Sequence, residues 1–214
     1  MEGARQLQEQ VLEIRRRDLG EAHSSTLVTK ANLSLTLQAR GEVQRARALM
    51  EEVVTNRRRI FGDEHHETLI TRSNLADLLR EQGELSEARA IHEDVLRLRR
   101  QVFGDDHLST AEASLKLALT LKEEGDLTNA FLQAKASCEV FRAIHGLEHE
   151  QTAETALLCI DLLHGKGERS EALAFFTSHL DWLLDREPEH LSSLMTQIRA
   201  LAIHIAADCL PAGA

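Results

Sequence analysis

The sequence predicts an all-α protein in which one helix pair is repeated along the chain. Helix-forming Leu, Ala, Glu and Arg are abundant among its 214 residues, and the only prolines are Pro188 and Pro211. The same residue types also recur with a period of 42 residues. Such a period is typical of helical repeats, which stack because a single pair cannot bury its apolar face alone.

Five positions of the repeat carry one residue type in all four copies. The glycines of the second set, which begins at Gly41, are each expected to end a helix, because glycine adopts the left-handed conformation without a Cβ penalty. Histidine is expected at or just before the start of the next helix, with threonine in its first turn. The sets are Gly20, Gly62, Gly104 and Gly146; Gly41, Gly83, Gly125 and Gly167; His23, His65, His107 and His149; Thr26, Thr68, Thr110 and Thr152; and Ala46, Ala88, Ala130 and Ala172.

Each period holds a helix A before the second-set glycine and a helix B after it. Apolar residues at steps of three and four from Ala88 to Val102 predict one buried face on helix B. A broader apolar set from Leu69 to Leu79 predicts a helix A that packs on both sides. The basic runs at 57–59 and 97–100 are interpreted as solvated cations beside the negative end of the helix B dipole.

These boundaries predict a single array over residues 1–214, with about ten helices. An orphan helix B occupies 2–19, and a degenerate capping helix A occupies 188–210. Trp182 falls inside the last helix B, where it is expected to be a core residue. Between the two terminal helices lie four complete repeats, at 20–61, 62–103, 104–145 and 146–187.

The charge balance argues against nucleic acid and anionic membranes as partners. Lys and Arg total 25 and Asp and Glu total 35, which gives a formal net charge of −10. No stretch approaches the ~18 apolar residues that a membrane helix needs, and the charged amino terminus does not resemble a secretory signal. Cys138, Cys159 and Cys209 form no CxxC pair, which favours a reduced, cytoplasmic setting.

No pattern predicts catalysis, a cofactor or a metal, so the chain is not expected to be an enzyme. Neighbouring repeats stack at roughly 8–10 Å, so the four repeated histidines cannot all lie about 2 Å from one zinc ion. A local site at Glu64, His65 and His66 is the remaining metal alternative, and a linker role is favoured over it. Lys166 between two glycines lacks the GxxxxGK[ST] pattern of a phosphate loop, and no GxSxG elbow is present.

The stretch TLITRSNLADLLREQGELSEARAIHEDVLRLRRQVFGDDH, residues 68–107, and its copies resemble tetratricopeptide repeats, specifically the 42-residue type of kinesin light chains. The resemblance covers about residues 4–187. It implies a right-handed superhelical α-solenoid of stacked antiparallel helix pairs, with a concave groove lined by the A helices. The family's usual proline after the linker histidine is replaced here by Ser24, His66, Leu108 and Glu150.

The resemblance places a candidate ligand-binding groove on the A helices. Asparagine side chains are expected to bind the backbone of an extended peptide, and basic side chains its acidic groups. The predicted function is a non-catalytic scaffold for a protein or peptide partner, and simple solvation of these residues is an alternative of equal weight. The groove residues are Asn32, Asn74 and Lys116 at one level, Asp77 at the next, and Gln38, Arg80 and Lys122 further along.

A second function is predicted from the two terminal helices of the array. The orphan helix B and the apolar stretch from Leu191 to Leu210 both favour self-association, since a terminal repeat normally needs a polar outer face. The chain would then be an oligomerisation or autoinhibitory sensor segment of a larger multidomain signalling protein, for example a nucleotide-binding ATPase.

Overall fold

The computed structural model describes residues 2–187, 189 and 191–209. In these residues the chain forms ten α-helices and no strand, so the all-α prediction and the predicted number of helices are confirmed. The predicted boundary at Pro188 and the end of the capping helix at Leu210 lie outside the described residues. The helices are α1 (Glu2–Leu19), α2 (Ser24–Gln38), α3 (Val43–Phe61), α4 (His66–Glu81), α5 (Leu85–Phe103), α6 (Leu108–Glu124), α7 (Leu127–His145), α8 (Glu150–Gly165), α9 (Arg169–His179) and α10 (Ser193–Cys209).

Successive helices pack on one another within two compact units, Met1–Val102 and Phe103–Ala214. In the first unit, α1 packs on α2, α2 on α3 and α3 on α4, and an ion pair between Arg72 and Asp94 joins α4 to α5. In the second unit, α6 packs on α7, α7 on α8 and α8 on α9, while α10 contacts both α8 and α9. This stacking of helix pairs is that of an α-solenoid. The single array over residues 1–214 stays a prediction.

The core of the first unit is shared by A and B helices. Leu33 and Leu37 of α2 meet Leu12 of α1, Ala46 of α3 and Leu78 of α4 in one buried cluster. Each fully buried leucine contributes about 2 kcal/mol of apolar transfer free energy. The cluster spans four helices, so no single helix pair could bury it alone.

The repeated histidines begin the A helices, as predicted. Each has an extended backbone and is the N-cap of α2, α4, α6 or α8. Its Nδ1 satisfies one of the free N–H groups of the first turn, the usual role of an N-cap side chain. Nδ1 of His23, His65, His107 and His149 accepts from the backbone N–H two residues later, at 3.2, 3.2, 3.1 and 3.3 Å respectively.

Replacing His107 by Asn is expected to leave the melting temperature nearly unchanged, because Asn is among the best N-cap residues. His107→Ala removes the acceptor and is expected to lower the free energy of unfolding by about 1 kcal/mol. Urea denaturation of both variants beside the wild type measures the difference. An equal loss in the two variants would mean that His107 acts through its ring, which stacks on Phe103 at 4.8 Å between centroids, and not as a cap.

Glycine ends helix A in the left-handed conformation, as predicted. Gly83 has a φ of +80°, and Gly125, the C-cap of α6, has a φ of +86°. After α4 the N–H of Gly83 donates to the carbonyl of Arg80 at 2.9 Å, and the N–H of Glu84 donates to that of Leu79 at 3.0 Å. These bonds satisfy carbonyls of the last turn, the usual role of a left-handed glycine after a helix.

One arginine of the run 57–59 is buried, so the prediction of a solvated helix end is wrong for it. The guanidinium of Arg57 donates to the carbonyl of Glu67 at 3.0 Å and to Thr71 Oγ1, both on α4. Arg58 and Arg59 are exposed. The helix dipole favours a cation at any of the three positions, whereas only the first of them faces the following helix A.

The same arrangement joins α1 to α2 one repeat earlier. Arg15 donates to the carbonyl of Ser25 at 2.9 Å and to Thr29 Oγ1 at 2.6 Å. Arg99, one repeat after Arg57, is also buried. The period therefore carried a signal for this contact, because Arg15, Arg57 and Arg99 lie 42 residues apart.

The last helix B is shorter than its position in the repeat predicts. Helix α9 ends at His179, and Trp182 lies in a 3-10 turn at Asp181–Leu183 instead of inside a helix. The indole Nε1 of Trp182 donates to the carbonyl of His179 at 2.9 Å. The N–H of Leu183 bonds to the carbonyl of Leu180 at 3.0 Å, three residues back, in the 3-10 manner. The indole thus occupies the carbonyl that a continued α-helix would use.

Candidate functional site

The A helices of the first unit present an exposed face of apolar and amide side chains. On α2, Val28 and Leu35 flank Asn32 at steps of four and three residues, so the three share one face. Val28 and Leu35 are 39% and 44% exposed. Asn74 and Asp77 occupy the equivalent positions of α4. Neither Asn32 nor Asn74 uses its side chain in a hydrogen bond within the part of the chain that the structure describes.

The remaining predicted residues of this unit contact neighbouring helices. Gln38 Nε2 donates to Glu81 Oε2 at 2.5 Å and so links α2 to α4. Asp77 Oδ1 lies 3.4 Å from Nε2 of His92 on α5. Arg80 is partly buried. The structure therefore brings the five predicted residues of this unit onto adjacent A helices, with the two asparagines the most available to a ligand.

In the second unit the predicted basic residues lie on α6. Lys116 is partly buried. Lys122 Nζ is 2.5 Å from Asp161 Oδ2 on α8, and both side chains are about two-fifths exposed. This ion pair borders an apolar cleft of about 330 Å³ that includes Leu158 and Leu201. The basic line predicted for the groove is thus partly neutralised, because one of its cations already has a carboxylate partner.

Sequence reasoning missed Val28 and its equivalents as part of this face. They stand four residues before the Asn32 position, where a helix repeats its direction. Val28 and Glu154 are exposed, and Ile70 and Glu112 are partly exposed. The sequence could have indicated them, because they recur at the same 42-residue spacing. The residue is apolar in the first two repeats and acidic in the last two.

Among the residues that the structure describes, no group of three or more His, Cys, Asp or Glu side chains is arranged to hold a metal ion. Cys138 and Cys159 are buried, as expected for core residues. Cys138 Sγ lies 3.8 Å from the carbonyl of Thr152. The hydrogen bond with Cys138, together with burial, raises the pKa of the Cys159 thiol far above its usual range. This thiol therefore carries little of the thiolate that a nucleophile needs.

Within the described residues, no helix combines the length and the hydropathy that crossing a membrane requires.

Sequence and structure comparisons identify the repeat. A family model described as tetratricopeptide repeat matches residues 25–101 and 74–143, and a second model of the same description matches residues 1–25. No curated protein sequence matches the chain. The two matches of the first model together extend from 25 to 143, which is more than half of the 214 residues.

Several crystal structures share the fold. Repeats of Podosopora anserina described as kinesin light chain nearly identical TPR-like repeats align with a TM-score of 0.70 at 23% identity, covering 95% of this chain and 87% of that one. BtubC from P. vanneervenii aligns at 0.71 and 15% identity, covering 95% and 84%. RapI in its apo form aligns at 0.69 and 12% identity, covering 92% and 57%. With repeats of this kind established by both comparisons, the chain belongs to the tetratricopeptide repeat family, whose fold serves as a scaffold for protein–protein interaction.

Proposed function

We propose that the chain is a non-catalytic, cytoplasmic binding module whose A-helix face in the first unit receives an extended segment of a protein partner. One observation carries this proposal. The amide side chains of Asn32 and Asn74 stand one repeat apart on exposed helix faces, and neither makes a hydrogen bond within the described residues. An amide both donates and accepts, so it can pair with the backbone of an extended peptide.

The surroundings of the asparagines suit such a segment. Val28 and Leu35 offer exposed apolar surface on either side of Asn32, and alternate side chains of an extended peptide point to the same face. Arg80, Lys116 and Lys122 are assigned to acidic groups of the ligand. A ligand carboxylate that binds Lys122 must displace the carboxylate of Asp161.

Replacing both Asn32 and Asn74 by Ala is expected to weaken peptide binding by about 30-fold, since two hydrogen bonds of about 1 kcal/mol each are lost. The ligands are linear peptides selected on the wild-type chain from a random display library. Their affinities are measured by fluorescence anisotropy at fixed salt. Thermal unfolding of the double variant should match that of the wild type, because both side chains are at least partly exposed.

The matched control is Arg58→Ala with Arg59→Ala, which removes two exposed cations from the end of α3. Arg57 is not suitable, because its guanidinium is buried. The control variant is expected to keep wild-type affinity. If it lost binding while the asparagine variant kept it, the binding surface would have to lie on the B helices.

Self-association is a second candidate function, and the exposed stripe on α1 favours it. Leu7 and Ile14 are 61% and 51% exposed, whereas Leu49, at the position of Leu7 in α3, packs against the buried core. We expect light scattering to show a concentration-dependent increase in mass that Leu7→Glu with Ile14→Glu abolishes. A constant monomer mass at all concentrations would exclude this function and leave the scaffold alone.

A further inference from the structure

The apolar cleft on α6, α8 and α10 of the second unit also contains an exposed carboxylate. Its volume of about 330 Å³ is at the lower end of the range for small-ligand pockets, roughly 300–1,000 Å³. Leu157 and Leu158 of α8 and Leu201 of α10 supply its apolar surface, and Glu154 of α8 supplies the carboxylate. We call it the α8 cleft.

The apolar side chains of the α8 cleft are accessible to a ligand. Leu201 is 53% exposed, and Leu157 and Leu158 are partly exposed. Apolar surface that is in contact with water gains free energy when a ligand covers it. The cleft therefore favours a ligand with an apolar part that can lie along α8.

The carboxylate of Glu154 is exposed, and it makes no hydrogen bond or ion pair with any residue that the structure describes. Asp161, by contrast, pairs with Lys122 Nζ at 2.5 Å. Residues 154 and 161 are one heptad apart on the same helix, so they share a face and lie about 10 Å apart along its axis. Glu154 therefore lies at one end of the cleft and the ion pair at the other, with Leu158 between them.

The repeat does not require an acid at the position of Glu154. The equivalent residues are Val28 in α2, Ile70 in α4 and Glu112 in α6. Because two of the four copies are apolar there, a carboxylate is needed neither for the A helix nor for its packing. Replacing Glu154 by Gln is therefore expected to leave the fold intact.

The charges of the α8 cleft favour a cation at the Glu154 end. Glu154 and Asp161 are negative and Lys122 is positive, so one negative charge remains among the lining residues. Lys122 is paired with Asp161 at the opposite end. A cation beside Glu154 would be about 10 Å from this pair along α8, and salt screens most of the repulsion at such a distance.

An arginine side chain combines the two properties that the cleft favours. Its methylene stem covers apolar surface while its charged end stays in water. Its guanidinium offers a forked pair of N–H donors to a single carboxylate. The ammonium of lysine is a compact, strongly hydrated charge without this fork, so it matches an exposed carboxylate less well.

We propose that the α8 cleft binds an arginine side chain of a protein partner. The methylene stem lies on Leu157 and Leu158, and the guanidinium donates to the carboxylate of Glu154. This site goes beyond the proposed function, because it lies in the second unit and takes a cation. It does not depend on the asparagine face of the first unit.

The test is a titration of the full chain with acetyl-Leu-Arg-Leu-amide and with the same peptide carrying citrulline in place of arginine. Amide shifts of α8 in two-dimensional NMR report the binding. Citrulline has nearly the shape of arginine but no charge. The arginine peptide is expected to bind about fivefold more tightly, the effect of one exposed charge-assisted pair. Equal affinities for the two peptides, or binding of neither, would overturn the proposal.

Two variants separate the carboxylate from the apolar surface. Glu154→Gln is expected to reduce the affinity of the arginine peptide to that of the citrulline peptide without changing the latter. Leu201→Ser is expected to weaken both peptides, and its exposure makes a folding defect unlikely to follow from the change. Undiminished binding of the arginine peptide by Glu154→Gln would overturn the proposal.

The matched control is Glu171→Gln, which removes an exposed carboxylate from α9 of the same unit. This variant is expected to bind both peptides as the wild type does. An equal loss of arginine-peptide affinity in Glu171→Gln and Glu154→Gln would mean that the peptide responds only to the overall charge of the chain, and the assignment to the α8 cleft would be wrong. A lysine peptide that binds as tightly as the arginine peptide would overturn the assignment to arginine.

Discussion

Arg57→Ala is expected to lower the free energy of unfolding by about 3 kcal/mol, a large effect for one residue near a helix end. The guanidinium is buried and donates to the Glu67 carbonyl and to Thr71 Oγ1, while its Nη2 lies 2.8 Å from Glu67 Oε2. Burial lowers the pKa of Arg57, and the charge of Glu67 opposes that shift. Its removal leaves a cavity and an acceptor without its donor.

Urea denaturation at pH 7 measures this loss, with Arg59→Ala as the matched control. Arg59 is exposed on the same turn of α3, so its replacement is expected to change stability by less than about 0.5 kcal/mol. Arg57→Lys should recover only part of the loss, because an ammonium cannot reproduce the forked geometry of a guanidinium. Equal effects of Arg57→Ala and Arg59→Ala would contradict the buried contact between α3 and α4.

Lys30→Ala is expected to cost about 3 kcal/mol as well, for a different reason. The Lys30 side chain is 0% exposed and its Nζ pairs with Glu21 and with Glu52 of α3. Truncation leaves a cavity, and the two carboxylates lose their cation. These acids are 54% and 40% exposed, so water can take over part of the interaction. Lys30→Met fills the same space without the charge and is expected to cost less than half as much.

The pH dependence of this loss can be derived from Glu21. The hydrogen bond from Lys30 outweighs burial and, together with Arg16, lowers the pKa of Glu21 below its ordinary 4.5. A carboxyl whose pKa is lower in the folded state stabilises the fold above its unfolded pKa, and this stabilisation is lost as the pH falls through the folded value. Wild type should therefore lose stability below about pH 4.5 more steeply than Lys30→Met. The free energy of unfolding of both proteins is measured by urea denaturation at pH 7 and at pH 3.5. An equal loss of this free energy in the wild type and in Lys30→Met would contradict the ion pair.

The helix pairs could be predicted because their signals are local and repeated. His65 and Gly83 act on backbone groups within a few residues, so their roles follow from spacing alone. The buried positions of Arg57 and Lys30 could not be predicted in this way. Lys30 is enclosed by acids from a loop and from another helix, and a sequence pattern does not show which exposed-looking cation a later helix will cover.

The candidate groove itself stays a prediction. Asn32 and Asn74 lie on the A helices at the positions that the resemblance implied. The bonds from Gln38 to Glu81 and from Lys122 to Asp161 were not foreseen, because each joins residues about one repeat apart whose rotamers depend on the packing between helices. The early end of α9, beside which the indole of Trp182 donates to the carbonyl of His179, was not foreseen either.

The buried cations described above are confined to one half of the chain. Lys30, Arg57 and Arg72 all lie in the first unit. Two repeats later, in the second unit, the equivalent residues are Ser114 in α6, Phe141 in α7 and Ala156 in α8. Acid that protonates the paired carboxylates should loosen residues 1–102 first, whereas cooling, which weakens apolar burial, should act more on residues 103–214. The two units thus share one backbone repeat but are expected to differ in their sensitivity to acid and to cold. Amide hydrogen exchange would measure the local stability of each helix under both conditions.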